Sequence, residues 1–205
     1  LKWNAFVTEG KGDLDELIAE SGWFTYRPQE FKNLLLDIRQ HNSSAQEPFQ
    51  VFGMEMTTVN DNLPWLADYF ARYLDDPDEL QESLTAERTT VAFQPHSEAE
   101  ILAYWELYFQ LNRTLTAQEA PLIEKGGAER FAIARQMTEI LRQYATFISH
   151  DDFLFRVEIR DQFSSRNVFW CLDQMGENSK AAIWAHSGHI AKESILFEYS
   201  VLGHY

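Results

Sequence analysis

A single cysteine, Cys171, in 205 residues excludes an internal disulfide and any thiolate metal cluster. It suits a reducing compartment, and a cytoplasmic location is expected. Positive charge is also scarce. There are 17 Lys and Arg against 32 Asp and Glu, for a net charge of −15. DNA, RNA and anionic membranes call for a basic face, so none is an expected partner. No apolar run reaches the roughly 18 residues of a membrane span. Repeats and low-complexity tracts are missing, which argues against a solenoid or a linker-like chain. The chain starts at Leu1-Lys2-Trp3 with no initiator Met, signal-peptide pattern or helix-start signal, and stops at Leu202-Gly203-His204-Tyr205 without a tail. The native protein is expected to continue on both sides.

What is present is a globular composition, 45% hydrophobic and 14% aromatic, in a length that suits one domain with an insertion. The acid is uneven. Asp75, Asp76, Asp78, Glu79, Glu82 and Glu87 crowd one stretch, which reads first as a solvated helix face or loop.

Two short apolar runs read as buried strands of the parallel-sheet kind. One is Phe49–Phe52. The other is Ala182–Ala185, which breaks into His186-Ser187-Gly188-His189. Both are too short for helices and are bounded by breakers. In open α/β sheets ligands sit beyond the carboxyl ends of the strands. Glu55 and the two histidines are thereby expected at one sheet edge.

Between and around these runs the pattern is helical. Gly10 and Gly12 stop a first helix. Asp13 caps a second that runs to about Glu20, with Glu16 at capping-box spacing. Pro28 opens a third, whose face carries Phe31, Leu34, Leu35 and Ile38 and which ends at Asn42-Ser43-Ser44. Three further stripes are Leu63/Leu66/Phe70/Tyr73, Ile101/Trp105/Tyr108/Leu115 and Ile133/Met137/Ile140/Tyr144/Phe147. Residues 60–150 are therefore expected to form a helical insertion. Residues 1–59 and 151–205 would be the parts of the core on either side. Asp151–Asp173 reads as a long buried helix with Arg156, Arg160, Ser164 and Asn167 on one face. Buried charges need partners, so that stripe either closes a structural network or faces a cavity.

The chemistry-bearing candidates follow. His186 and His189 stand as His-x-x-His after a strand-like run. Histidine takes and gives protons near neutral pH. As a metal pair the spacing is weak, since familiar zinc sites place histidines at i, i+4 on a helix. Two loop histidines bonded to backbone are the structural alternative. Ser187 lacks the leading glycine of a nucleophile elbow, and Cys171 sits among apolar residues as an inert thiol. Glu55 is a partner for an imidazole or a helix-start residue. Trp23, Tyr26 and Arg27 precede a helix and read as an aromatic packing corner with a stacked guanidinium.

In order along the chain stand Trp23-x3-Arg27-x2-Glu30, Val51-Phe52-Gly53-Met54-Glu55, Arg160-Asp161-x5-Asn167-x2-Trp170-x-Leu172 and Trp184-Ala185-His186-x-x-His189. This series resembles the erythromycin esterase-like family over nearly the whole chain, most specifically in the last motif. The resemblance implies a three-layer α/β/α core with a mainly parallel sheet and a large inserted helical subdomain. It implies metal-independent hydrolysis of a small-molecule ester or macrolide lactone, without cofactor, with histidine as the general base that activates water. His186 and His189 would be catalytic. Glu55, Arg160, Asp161, Asn167, Trp23 and Arg27 would bind substrate or support them. A Glu-x-x-His-Gly-like segment and a further glutamate, which the family carries upstream, are not in this chain, so the chain by itself is expected to give no turnover. Ser187 also departs from the usual asparagine, and Ser164-Ser165-Arg166 from Met-Ala-Glu. A non-catalytic binding protein on the same scaffold is the alternative.

Overall fold

The computed structural model describes residues 2–21, 26–186 and His189. The chain divides into two compact units, residues 1–54 and 55–205.

In the first unit, α1 (Lys2–Glu9), α2 (Leu14–Glu20) and α3 (Gln29–Asn42) enclose a small core of Phe6, Val7, Leu17, Ile18, Phe31 and Leu35, with Trp3, Tyr26 and Val51 packed against it. The stop after α1 uses Gly10 at φ +70°, a conformation that costs glycine nothing and other residues more. The Asp13 carboxylate accepts from the backbone N–H groups of Asp15 and Glu16 at 2.9 and 3.1 Å. It thus satisfies two of the donors that a helix start leaves open. Proline at the N-cap of α3 fits a helix entrance, where a missing N–H is harmless.

The second unit is built from α4 (Asn62–Tyr73), α5 (Asp78–Thr85), α6 (Glu98–Ala117), α7 (Glu119–Gly126), α8 (Ala128–Ile148) and α9 (Phe153–Met175). Its core runs through Leu66, Phe70, Tyr104, Leu111, Leu115, Leu122, Leu141 and Tyr144, and takes in Ile159 and Phe163 of α9. On α6 the deepest residues are Tyr104, Leu107, Leu111 and Leu115, while Ile101, Trp105 and Tyr108 pack at the margin. The apolar arc of α6 is wider than one stripe, which is why spacing alone picks its edge. A complete capping box starts this helix. The Ser97 hydroxyl accepts from Glu100 N–H, and Glu100 accepts from Ser97 N–H at 2.9 Å.

The expected parallel sheet is not there. Helix accounts for 68% of the structure, and no strand or sheet forms among the described residues. The strand-like pairing that does occur is an isolated antiparallel bridge between Thr58 and Val91. An α/β/α core with a mainly parallel sheet is therefore corrected to a mostly helical fold. The physical reason is visible at Phe49–Phe52. Asn42 donates to Phe49 C=O at 2.8 Å and accepts from Phe49 N–H at 2.8 Å, and Val51 N–H donates to Asn4 Oδ1 at 2.9 Å. Side-chain amides occupy the backbone groups that a sheet ladder would use. Phe49 is 59% exposed, so the run is irregular and not a buried strand. Ala182–Trp184 is likewise without regular structure and exposed, with Trp184 at 58%.

One loop prepares the site. Tyr104 and Tyr144 both donate to Thr89 C=O, at 2.7 and 3.0 Å. Burial pushes the Tyr104 phenol up to about 12, so it stays a donor. Arg156 Nη2 donates to Ala92 C=O at 2.7 Å, with its guanidinium 4.2 Å from the Phe147 ring centroid. Val59 N–H to Thr90 C=O at 3.2 Å and Ala92 N–H to Thr57 C=O at 2.9 Å then fix residues 57–59. Glu55 lies two residues before that pairing.

Candidate functional site

The site grows from α9. Asp152 caps it, accepting from Leu154 and Phe155 N–H at 2.8 and 3.0 Å, and Gly176 at φ +91° follows it. The buried positions along its middle include Asp161, Ser164, Ser165 and Asn167, whereas Phe153, Phe155 and Phe169 are exposed. The helix was expected to be buried through its apolar residues, yet it turns much of its polar side inward.

Three arrangements hold that polar side. Asn167, 2% exposed, accepts from Gln136 and Gln143 of α8 at 2.8 and 2.9 Å and donates back to Gln143 at 2.9 Å. Arg160 donates from Nε to both Glu55 oxygens, at 3.0 and 2.9 Å, and from Nη2 to Oε1 at 2.7 Å. Burial alone would lower the guanidinium's proton affinity, but the hydrogen bonds and charge of Glu55 outweigh it and the net direction is up. Such side-on, charge-assisted pairing fixes orientation as well as charge. Asp161, 1% exposed, meets His189: Oδ1 lies 2.8 Å from Nδ1.

The backbone N–H of His189 donates to His186 C=O at 2.9 Å. The two rings are 6.3 Å apart and inclined at 74°. His186 is exposed and His189 half-buried. A carboxylate that accepts from Nδ1–H leaves Nε2 with its lone pair, the tautomer a general base needs. Asp161 Oδ2 and Ser164 Oγ are buried without a hydrogen-bond partner.

The structure thus brings together Glu55 with Arg160 and Asp161 with His189, with the His186 ring 6.3 Å from that of His189, and it ties Asn167 into an amide network. Arg27 is exposed and lines an open depression of the first unit with Asp15, Ile18, Ala19 and Lys32. Trp23, Ser187 and Gly188 lie outside the described residues. Cys171 is half-buried, and burial pushes its thiol up to about 11, which disfavours the thiolate. Gln136 and Gln143 escape the sequence reading. The signal for Gln143 is a glutamine inside an apolar arc, between Ile140 and Tyr144. Among the described residues no group of three His, Cys, Asp or Glu is gathered closely enough to hold a metal ion. None of their helices is long and apolar enough to cross a membrane.

Comparison with known proteins assigns the chain to a family. The erythromycin esterase family model matches residues 1–198, and the chain belongs to that family. A curated relative, erythromycin esterase type II of Escherichia coli, is 24% identical over 210 residues, which cover 92% of this chain and 50% of the relative. A crystal structure described as a succinoglycan biosynthesis protein superposes with a TM-score of 0.77 at 18% identity, covering 99% of this chain and 50% of that one. At that identity the likeness speaks to the fold alone. The chain spans about half the length of the relatives it matches.

Proposed function

We propose that this chain contributes the histidine side of a hydrolase site that opens a carboxylic ester or lactone of a small molecule. The observation that carries the reading is the Asp161–His189 pair at 2.8 Å, on a member of the erythromycin esterase family. His186 is the residue that its place right after the apolar run favours as base. The geometry supports the other histidine. In this reading His189 Nε2 takes a proton from water as the oxygen adds to the substrate carbonyl. The imidazolium then returns the proton to the departing alkoxide, so the proton count closes. Asp161 stabilises that imidazolium and holds the tautomer. His186, 6.3 Å away, is left to donate to the oxygen that gains charge. A positioned base is typically worth about 10²–10⁴-fold in rate.

The test is hydrolysis of p-nitrophenyl esters and of erythromycin by the intact protein, compared with His189→Asn and His186→Asn, with and without a chelator. The reading expects the larger loss, about 10²-fold or more, in His189→Asn. It expects no effect of the chelator. A fully active His189→Asn removes the proposed base. Loss on chelation, restored by zinc, replaces it with a metal-activated water.

A further inference from the structure

Helix α6 is apolar on two opposite faces, and the second unit covers one of them. Tyr104, Leu107, Leu111 and Leu115 lie in its core. About 180° round the helix from them, Leu102 is 58% exposed and Phe109 51%. Trp105, partly buried, stacks on Phe109 with ring centroids 6.0 Å apart, and Tyr108 meets the same ring at 5.2 Å. These residues form one strip along two turns. A helix that is apolar all round is ordinarily enclosed on all sides, and a contiguous exposed apolar patch marks an interaction site.

The charges at the ends of the strip indicate what covers it. Glu98 lies four residues before Leu102, and Arg113 four residues after Phe109. On a 3.6-residue period these four positions fall within about 60° of one another, on a single face. Glu98 and Arg113 are exposed, and neither side chain makes a hydrogen bond or ion pair among the described residues. The order acid, apolar, apolar, base is its own complement when reversed. We propose that this face of α6 docks a second copy of the chain, with the two α6 helices antiparallel and Leu102 of each on Phe109 of the other.

That register sets Glu98 of each copy against Arg113 of the other. A twofold axis then passes between Trp105 and Glu106, so both ends of the contact are alike. Parallel pairing would instead put Glu98 on Glu98 and Arg113 on Arg113. A slip along the helix would lose the apolar and the ionic pairs together. Two features oppose the contact. Each copy carries a net charge of −15, and the Glu106 side chains of the two copies come together beside the axis. One helix face is also a small interface. The association is therefore weak, with a Kd on the order of 10–100 µM.

The experiment is sedimentation equilibrium of the intact protein over concentrations that bracket that Kd. It compares wild type, Glu98→Arg, Arg113→Glu, the double variant and Leu102→Glu, with circular dichroism to show that each is folded. Both charge reversals should weaken association about tenfold or more, because symmetry makes each mispairing occur twice. Glu98→Arg is the sharper of the two. It makes the chain less negative, so general repulsion alone would tighten the dimer, whereas the register loosens it. The double variant restores opposite charges at both ends and should associate within about threefold of wild type. Leu102→Glu should leave a monomer. Should a reversal fail to fold, Glu98→Gln or Arg113→Gln takes its place. Each should weaken association about threefold or more, whereas in a parallel pair each would strengthen it. A wild-type protein that stays monomeric throughout overturns the proposal, whether the face is bare or taken by another protein or another segment. So does a Glu98→Arg variant that associates as tightly as wild type, or a double variant no better than the single ones.

Discussion

Phe49–Phe52 and the middle of α9 reverse the usual rule in opposite ways. In the first, phenylalanines face solvent while Asn4 and Asn42 hold the backbone. In the second, Asp161 and Asn167 are buried with partners from His189 and α8, while Phe169 of the same helix is exposed. What separates the regions is where hydrogen-bond partners come from. An exposed aromatic forgoes only part of its transfer energy, on the order of 1–3 kcal/mol. A buried polar group without a partner costs about as much or more. Asn42 in the first region and Asn167 in the second are where polar groups are answered, while Ile159 and Phe163 of α9 still join the core.

Breaking the answered groups tests that comparison most severely. Asn167→Ala leaves Gln136 and Gln143 without their shared partner. It should cost about 2–4 kcal/mol in denaturant unfolding. A loss below about 0.5 kcal/mol would mean that the amide network is incidental. Asn42→Ala removes the bonds that hold Phe49 in a more exposed setting, so a smaller loss of about 1–2 kcal/mol is expected. Equal losses at the two positions would erase the contrast.

A third polar group answered by backbone sharpens the point through pH. Ser97 N–H and the Ser97 and Thr89 hydroxyls hold the Glu100 carboxyl down, from its usual value to about 2. A depressed carboxyl stabilises the fold fully above its unfolded value, near 4.5. That contribution is lost as pH falls toward about 2. Glu100→Gln should therefore flatten the loss of thermal stability between pH 4.5 and 2 and leave its slope near neutrality unchanged. An unaltered acid slope would remove the capping box from the explanation. The smallest effect belongs to the aromatic side. Phe169→Ala should change stability by no more than about 0.5 kcal/mol. A loss of 2 kcal/mol would show that this ring is covered in the protein and that the comparison fails on its apolar half.

Local grammar made much of the helical structure legible. Gly10, Asp13 and Pro28 mark ends that the structure keeps, and α9 was visible as a long helix with a polar stripe. The misreadings are non-local. A four-residue apolar run looks the same whether it pairs in a sheet or lies along asparagines, because its partners sit elsewhere in the chain. Asn4 is 47 residues from Val51. The site divides in the same way. The order Glu55, Arg160, Asp161, His186, His189 could be read from motifs, and the need of partners for the buried charges of α9 follows from charge alone. That Glu55 is the partner of Arg160, across 105 residues, and that Asp161 goes to His189, across 28, are facts of packing. The proposed choice between the histidines rests on the second of them.

The central claim is that Asp161 holds the His189 Nδ1–H and leaves Nε2 as the base. It can be read directly by ¹⁵N NMR of the imidazole in the intact protein, at a pH above the ring's titration. The account predicts that His189 is protonated at Nδ1, and that Asp161→Asn abolishes this preference. A ring protonated at Nε2 in the wild-type protein, or one whose tautomer is indifferent to Asp161→Asn, would contradict it.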